Sequence, residues 1–142
     1  MDKEVKRLWV TDLESDEFEQ GQGFLRDNNG KYCCLGVLCH RAQIMGMVGE
    51  PVLYSDYMET VTPYYIYGEE RRGYDLPPEV TNWADLYDGD PVVEFTDDEI
   101  DEFFADELDE FSHSDLRCRS LADLNDHGYP FKLIAKIIDR KL

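Results

Sequence analysis

Among the residues of this 142-residue chain most capable of chemistry, Cys33, Cys34, Cys39 and His40 fall within one short stretch, with Cys118 and His113 as distant partners. Thiolate and imidazole together are zinc ligands, and a thiol beside an imidazole is a nucleophile with its base. The spacing suits neither role. On a helix Cys34 and Cys39 are five residues apart and point about 140° away from each other, so they do not face one tetrahedral ion. His40 follows Cys39 directly and projects from a different side. The sequence has no second Cys-x-x-Cys or His-x-x-x-His half-site, Gly-rich phosphate loop, Ser elbow or His-Glu-x-x-His pattern. We expect core thiols, with zinc as the alternative, no cofactor and no enzymatic activity. A hydrolase using Cys39 or His113 is the catalytic alternative.

Charge offers a different chemistry. The formal net charge is −18 on 16.6 kDa. Between Gly73 and Asp115 there is no Lys or Arg, and carboxylates concentrate from Asp97 onward. A field of this sign repels phosphate and anionic membrane surfaces and attracts a basic partner, although solubility alone also favours it. Asp97, Asp98, Asp101, Glu102, Asp106, Asp109 and Glu110 are therefore candidate partner-binding residues, acting as fixed charges rather than as acids or bases. Carboxylates repeated along a helix approach the linear density of duplex DNA, about one charge per 1.7 Å of axis, so mimicry of nucleic acid is one reading. A solvated helix face and an amphipathic partner-binding helix are the others. Calcium at Asp85–Asp90 is disfavoured because EF-hand spacing is missing.

A second candidate lies in residues 54–74, which hold six of the nine tyrosines. Tyr64, Tyr65 and Tyr67 with Arg71 and Arg72 suit stacking on a base and pairing with phosphate, against the plainer alternative of aromatic strand packing. Direct nucleic-acid binding is a third option, through Lys132, Lys136 and Arg140 on a helix pair around Gly128 that has a helix-turn-helix look. Three cations do not outweigh a net −18 field, so an ordinary helical hairpin is preferred.

The elements that position these residues read as a single α+β domain spanning 1–142. Val5, Leu8, Trp9 and Leu13 share one face of an N-terminal helix over Asp2–Leu13. Asn29-Gly30 between short extended runs predicts a hairpin with a type I′ turn. Cys34–Met45 is a largely buried helix in which Gly36 implies close approach of another element. Pro63–Gly68 is a strand returning through Glu69 to Gly73. Pro77–Leu86 holds a short helix carrying Trp83 into the core. Thr96 and Glu99 form a capping-box pattern for an acidic helix over Asp97–Phe111, with Ile100, Phe103, Phe104, Leu108 and Phe111 on its inner stripe. Ser120 opens a helix that stops near His127-Gly128, and Pro130 opens the last, with Phe131, Ile134, Ala135, Ile138 and Leu142 inward. No apolar run is long enough for a signal peptide or membrane span, so the protein is expected to stay where it is made, with reduced thiols and no membrane partner.

Several strings carry a family resemblance: Arg7-Leu8-Trp9-Val10, Gly21–Arg26, Tyr32-Cys33-Cys34-Leu35-Gly36-Val37-Leu38-Cys39, Leu76-Pro77-Pro78-Glu79-Val80 with Trp83, and Leu121-Ala122-Asp123-Leu124-Asn125-Asp126. In this order they resemble a family of small bacteriophage proteins of unassigned function. The resemblance covers roughly half the chain and departs in the tyrosine-rich middle and in an acidic insertion at about 88–111. It implies a phage origin and the bacterial host cytoplasm, and it transfers no catalytic residue. The resulting expectation is a phage accessory protein acting by binding, an acidic nucleic-acid mimic that inhibits a host or anti-phage defence protein with a basic surface. A small-ligand (nucleotide) sequestering protein using the Tyr-rich segment is the alternative.

Overall fold

The computed structural model describes residues 1–58, 60–105 and 113–142. It begins with helix α1 (Lys3–Glu14), capped by Asp2, whose side chain accepts from the Val5 N–H at 2.9 Å. Val5, Trp9 and Leu13 are buried, as their spacing predicts, and α1 lies against the C-terminal helix α7 (Phe131–Lys141). Trp9 also donates its indole N–H to the carbonyl of Cys34 at 2.9 Å, tying α1 to α2 (Cys34–Ile44).

The helix α2 is the centre of the core; seven of its residues are buried, from Cys34 through Cys39 and Ala42. Cys33 caps it, its Sγ accepting from the Gly36 N–H at 3.4 Å. A Cβ at Gly36 would stand 1.7 Å from the Leu25 carbonyl oxygen, which is the close approach the sequence implied. The segment that crosses there folds back on itself as expected, but not through a type I′ turn. Arg26 and Tyr32 form only an isolated bridge, and Gly30 alone has a left-handed φ, of 79°. The backbone closes this turn, Gly30 N–H donating to the Asp27 carbonyl at 3.3 Å and Asp27 N–H to the Lys31 carbonyl at 2.9 Å, and Asp27 Oδ1 braces it by accepting from the amides of Asn29 and Lys31 at 2.8 and 3.0 Å.

Two small antiparallel sheets flank the helices. In the first, β1 (Val52–Tyr54) pairs with β2 (Tyr64–Ile66) in the register Leu53 to Tyr65. The main partner of the tyrosine strand is thus upstream; the expected return through Glu69–Gly73 survives only as a bridge between Tyr67 and Arg72. Helix α3 (Pro78–Ala84) buries Val80 and Ala84, whereas Trp83 is only half-buried, packed against the core from its rim.

In the second sheet, β3 (Val92–Glu94) pairs with β4 (Cys118–Ser120), and between them run α4 (Asp97–Phe104) and the short α5 (His113–Leu116). Val93, Phe95, Ile100 and Phe104 all join the main core. The described part of the acidic segment is therefore built into the fold rather than appended to it. Helix α6 (Leu121–Asp126), capped by the Ser120 hydroxyl, ends before Gly128 at φ 88° and leads through Pro130 into α7. Buried Asn125 of α6 locks three elements: its Oδ1 accepts from the Cys34 N–H at 3.1 Å and from Gln20 Nε2 at 3.0 Å, and its Nδ2 donates to the Gly21 carbonyl at 2.8 Å.

Candidate functional site

The first half of the expected acidic helix forms where its sequence says it should, over Asp97–Phe104. Thr96 Oγ1 accepts from the Glu99 N–H and the Glu99 carboxylate accepts from the Thr96 N–H, a reciprocal cap that satisfies two otherwise orphaned donors. Ile100 and Phe104 are fully buried, Phe104 packing edge-on to Phe95 at 5.3 Å and Tyr129 at 5.1 Å. Asp97, Asp98, Asp101 and Glu102 are exposed on a helix held from beneath. Asp106, Asp109 and Glu110, with Leu108 and Phe111, lie outside the described residues.

Asp97 and Glu102, with the capping Glu99, carry ion pairs, however. Arg140 on α7 grips Glu102 with two hydrogen bonds of 2.6 and 2.9 Å while its guanidinium lies over the Phe103 ring at 4.8 Å. Lys141 sits 3.0 Å from both oxygens of Glu99, and Arg117 reaches Asp97 at 3.0 Å. Hydrogen bonds from the Thr96 backbone and from Lys141 hold the Glu99 carboxyl below the ordinary range; the Arg140 pair does the same for Glu102. Arg140 thereby leaves the outer cationic row predicted with Lys132 and Lys136, and Lys132 reaches Asp16 at 3.5 Å. Lys136 is exposed on α7.

The tyrosine site is dispersed. Tyr64 stacks on Phe24 at 4.5 Å, with its phenol pushed up to about 12, first by a hydrogen bond with Tyr74. Tyr65 is covered by the Arg26 guanidinium at 4.3 Å. Tyr67 is fully buried, and burial raises its phenol pKa. Arg72 is neutralised by Glu70 and Asp75, each at 2.8 Å, and Arg71 is exposed. Aromatic packing has claimed the rings and carboxylates one of the two guanidiniums, so these five residues do not converge on one ligand.

Sequence reasoning missed the surface beside them. All three residues of β1 are exposed, Val52 at 63%, Leu53 at 50% and Tyr54 at 44%, and Tyr57 and Met58 follow at 97% and 71%. A cleft of about 410 Å³ lined by Val52, Leu53, Tyr54, Ile66 and Arg71 meets a second of about 610 Å³ lined by Met47, Val48 and Glu79. Glu50, Gly68 and Glu69 belong to both clefts, which makes them one groove. The available signal was the run Pro51-Val52-Leu53-Tyr54, an apolar strand without the alternation that burying one face would give.

Three of the four thiols are packed in the core, and Cys118 is not. Cys33, Cys34 and Cys39 are buried and Cys118 is exposed, all unbridged. Desolvation pushes Cys33 up to about 12 and Cys34 and Cys39 well above their usual value, so none of the three is a ready thiolate. His40 faces the rings of Phe18 and Tyr32 at 5.2 and 5.8 Å, and burial depresses its pKa. The side chain of His113 lies outside what the structure describes. Among the described residues no three His, Cys, Asp or Glu stand together as metal ligands, and no helix is long and apolar enough to cross a membrane.

Compared with known families, the chain matches over residues 1–142 the model described as Domain of unknown function (DUF8296), and it belongs to that family. No curated protein and no solved structure gives a match.

Proposed function

We propose that this family member acts by binding, docking on a basic surface of another protein through the carboxylates of α4 and inhibiting it as a nucleic-acid mimic. One observation carries the reading: Asp97, Asp98, Asp101 and Glu102 are exposed on a helix whose other side, Ile100 and Phe104, is fixed in the core. Fixed charges attract a cationic partner without an ordering cost at the moment of contact. The pairs that Arg117 and Arg140 make with this helix lie at the surface, where ion pairs are weak enough to exchange for a partner's cations. The motif resemblance to bacteriophage proteins supplies the setting: a bacterial host cytoplasm, with a host or anti-phage defence protein as the target.

Capture from bacterial lysate at stepped ionic strength tests this. The expected partner is a nucleic-acid-binding protein that is released by added duplex DNA and by salt, and that is lost when Asp97, Asp98, Asp101 and Glu102 are together replaced by Lys. Capture that ignores salt and survives those substitutions refutes mimicry.

A further inference from the structure

We infer that the groove along β1 is a second docking surface, and that its occupant is an extended segment of another polypeptide with alternating apolar and basic side chains. The argument begins with the edge of the sheet. Tyr65 donates its N–H to the Arg26 carbonyl at 2.9 Å, away from β1. In an antiparallel ladder, residues directly opposite each other turn their hydrogen-bonding groups together, either toward one another or both outward. Leu53 is opposite Tyr65, so its N–H and C=O point away from β2. No backbone partner takes them among the described residues. An exposed edge of this kind accepts an added strand, whose backbone supplies affinity while pockets for alternate side chains supply selection.

Apolar surface fixes half of the occupant's character. Val52 and Leu53 project from opposite faces of β1 and both are exposed, so neither face of this strand is covered by the protein's own core. Charge fixes the other half. Glu50, Glu69 and Glu79 line the groove beyond β1, and none has a cationic partner among the described residues. Glu79 is held there, its Oε2 accepting from the Glu69 N–H at 3.0 Å. Arg71 is the one cation lining the groove among the described residues, and it leaves the groove net negative. A second copy of this chain would bring another net charge of −18 to the same place. A Lys- or Arg-bearing strand meets attraction where a second copy meets repulsion.

The probe is a fluorescein-labelled peptide of alternating Val and Lys, compared by anisotropy at ~0.15 M salt with a Val-Glu peptide and with oligolysine. The Val-Lys peptide should bind best and slow exchange of the Leu53 amide. Leu53→Pro, which removes the outward donor at an edge position that tolerates proline, should weaken it by about tenfold or more. Paired Glu50→Lys and Glu69→Lys should do the same, and Leu53→Asp replaces the proline variant if that one melts early. Asp98→Lys on α4 should leave this binding within about twofold, which separates the groove from the acidic helix. Equal binding of oligolysine, or affinity that ignores the Leu53 and Glu substitutions, overturns the inference. So does a concentration-dependent dimer abolished by Leu53→Pro, which would assign the edge to a second copy.

Discussion

Two regions of this protein carry carboxylates toward solvent, and they differ in the way that matters for a partner. On α4 the sequence packs acid almost without interruption, yet the fold brings Arg117, Arg140 and Lys141 from the far end of the chain onto Asp97, Glu102 and Glu99. Around the β1 groove the acids are sparse, but Glu50, Glu69 and Glu79 have no cationic partner among the described residues and stand beside apolar surface. Charge density along a sequence is therefore a poor guide to charge available at a surface. A run of like charge selects for cations elsewhere in the fold, because self-repulsion would otherwise oppose its helix. Three scattered glutamates set up no such demand.

The comparison breaks most sharply at its anchors. Phe104→Ala removes a ring that is wholly buried against Phe95 and Tyr129, and should cost about 3–5 kcal/mol in urea unfolding. Leu53→Ala on the groove should cost no more than about 0.5 kcal/mol, since half of that side chain already faces water. Comparable costs for the two would mean that α4 is not held as described, or that β1 is covered. Next in size is Gly68→Ala. Gly68 has φ 78°, and a Cβ there would stand 2.7 Å from Glu79 Oε2 and 2.8 Å from the Pro77 Cβ. A loss of roughly 1–2 kcal/mol is expected from the left-handed backbone alone. Displacement of Glu79 should weaken the Val-Lys peptide as well. If stability falls and peptide affinity does not, Glu79 is no part of the groove.

How much of this was legible in the sequence depends on whether the deciding contact is local. The helices were: α1 and α7 follow apolar spacing, α2 is an almost unbroken apolar run, α3 starts at its prolines, and the caps at Thr96 and Ser120 are satisfied within three residues. Gly36 announced a close approach but not its partner, Leu25, which is chosen by tertiary packing. The strings around Cys33 and Asn125 lock the core. Cys33 caps α2, Asn125 bridges α2, α6 and Gly21, and Asp126 accepts from the Gly23 N–H at 2.9 Å. Asn29-Gly30 announced the fold-back but not the turn type, since Gly30 alone takes the left-handed φ and Asp27 braces the turn with its side chain. The pairing of β2 with β1 spans a loop that no local pattern encodes. Of the site residues, the exposure of Asp97, Asp98, Asp101 and Glu102 was readable from helical phase, whereas their cations on α7 and before β4 were not. The acidic lining of the groove was invisible for the same reason: Glu50, Glu69 and Glu79 meet only in three dimensions.

The smallest expected effect isolates the pairing itself. Glutamine at Glu99 keeps the capping geometry but not the charge, so Glu99→Gln with Glu102→Gln removes the two ion pairs to α7 while leaving α4 capped. Both carboxyls lie below their unfolded values in the folded chain, Glu99 through Thr96 and Lys141 and Glu102 through Arg140. A depressed folded pKa means that the unfolded chain binds more protons, so their contribution is complete above the unfolded carboxyl value, about 4.3, and drains away as pH falls through the lower folded one. Wild type should therefore exceed the double variant in urea midpoint at neutral pH, with the gap closing in acid. Asp90 supplies the opposite sign. Burial raises its pKa above the unfolded value even though it accepts from the Ala122 N–H at 3.0 Å. The favourable term for such a group is present below its unfolded pKa and is lost as pH rises through the folded one. Asp90→Asn should then be at least as stable as wild type at neutral pH, with that relative advantage fading in acid. Parallel pH profiles for the two variants would show that the α7 cations do not discriminate the α4 carboxylates from any other acid of this chain, and the contrast between the two regions would rest on apolar exposure alone.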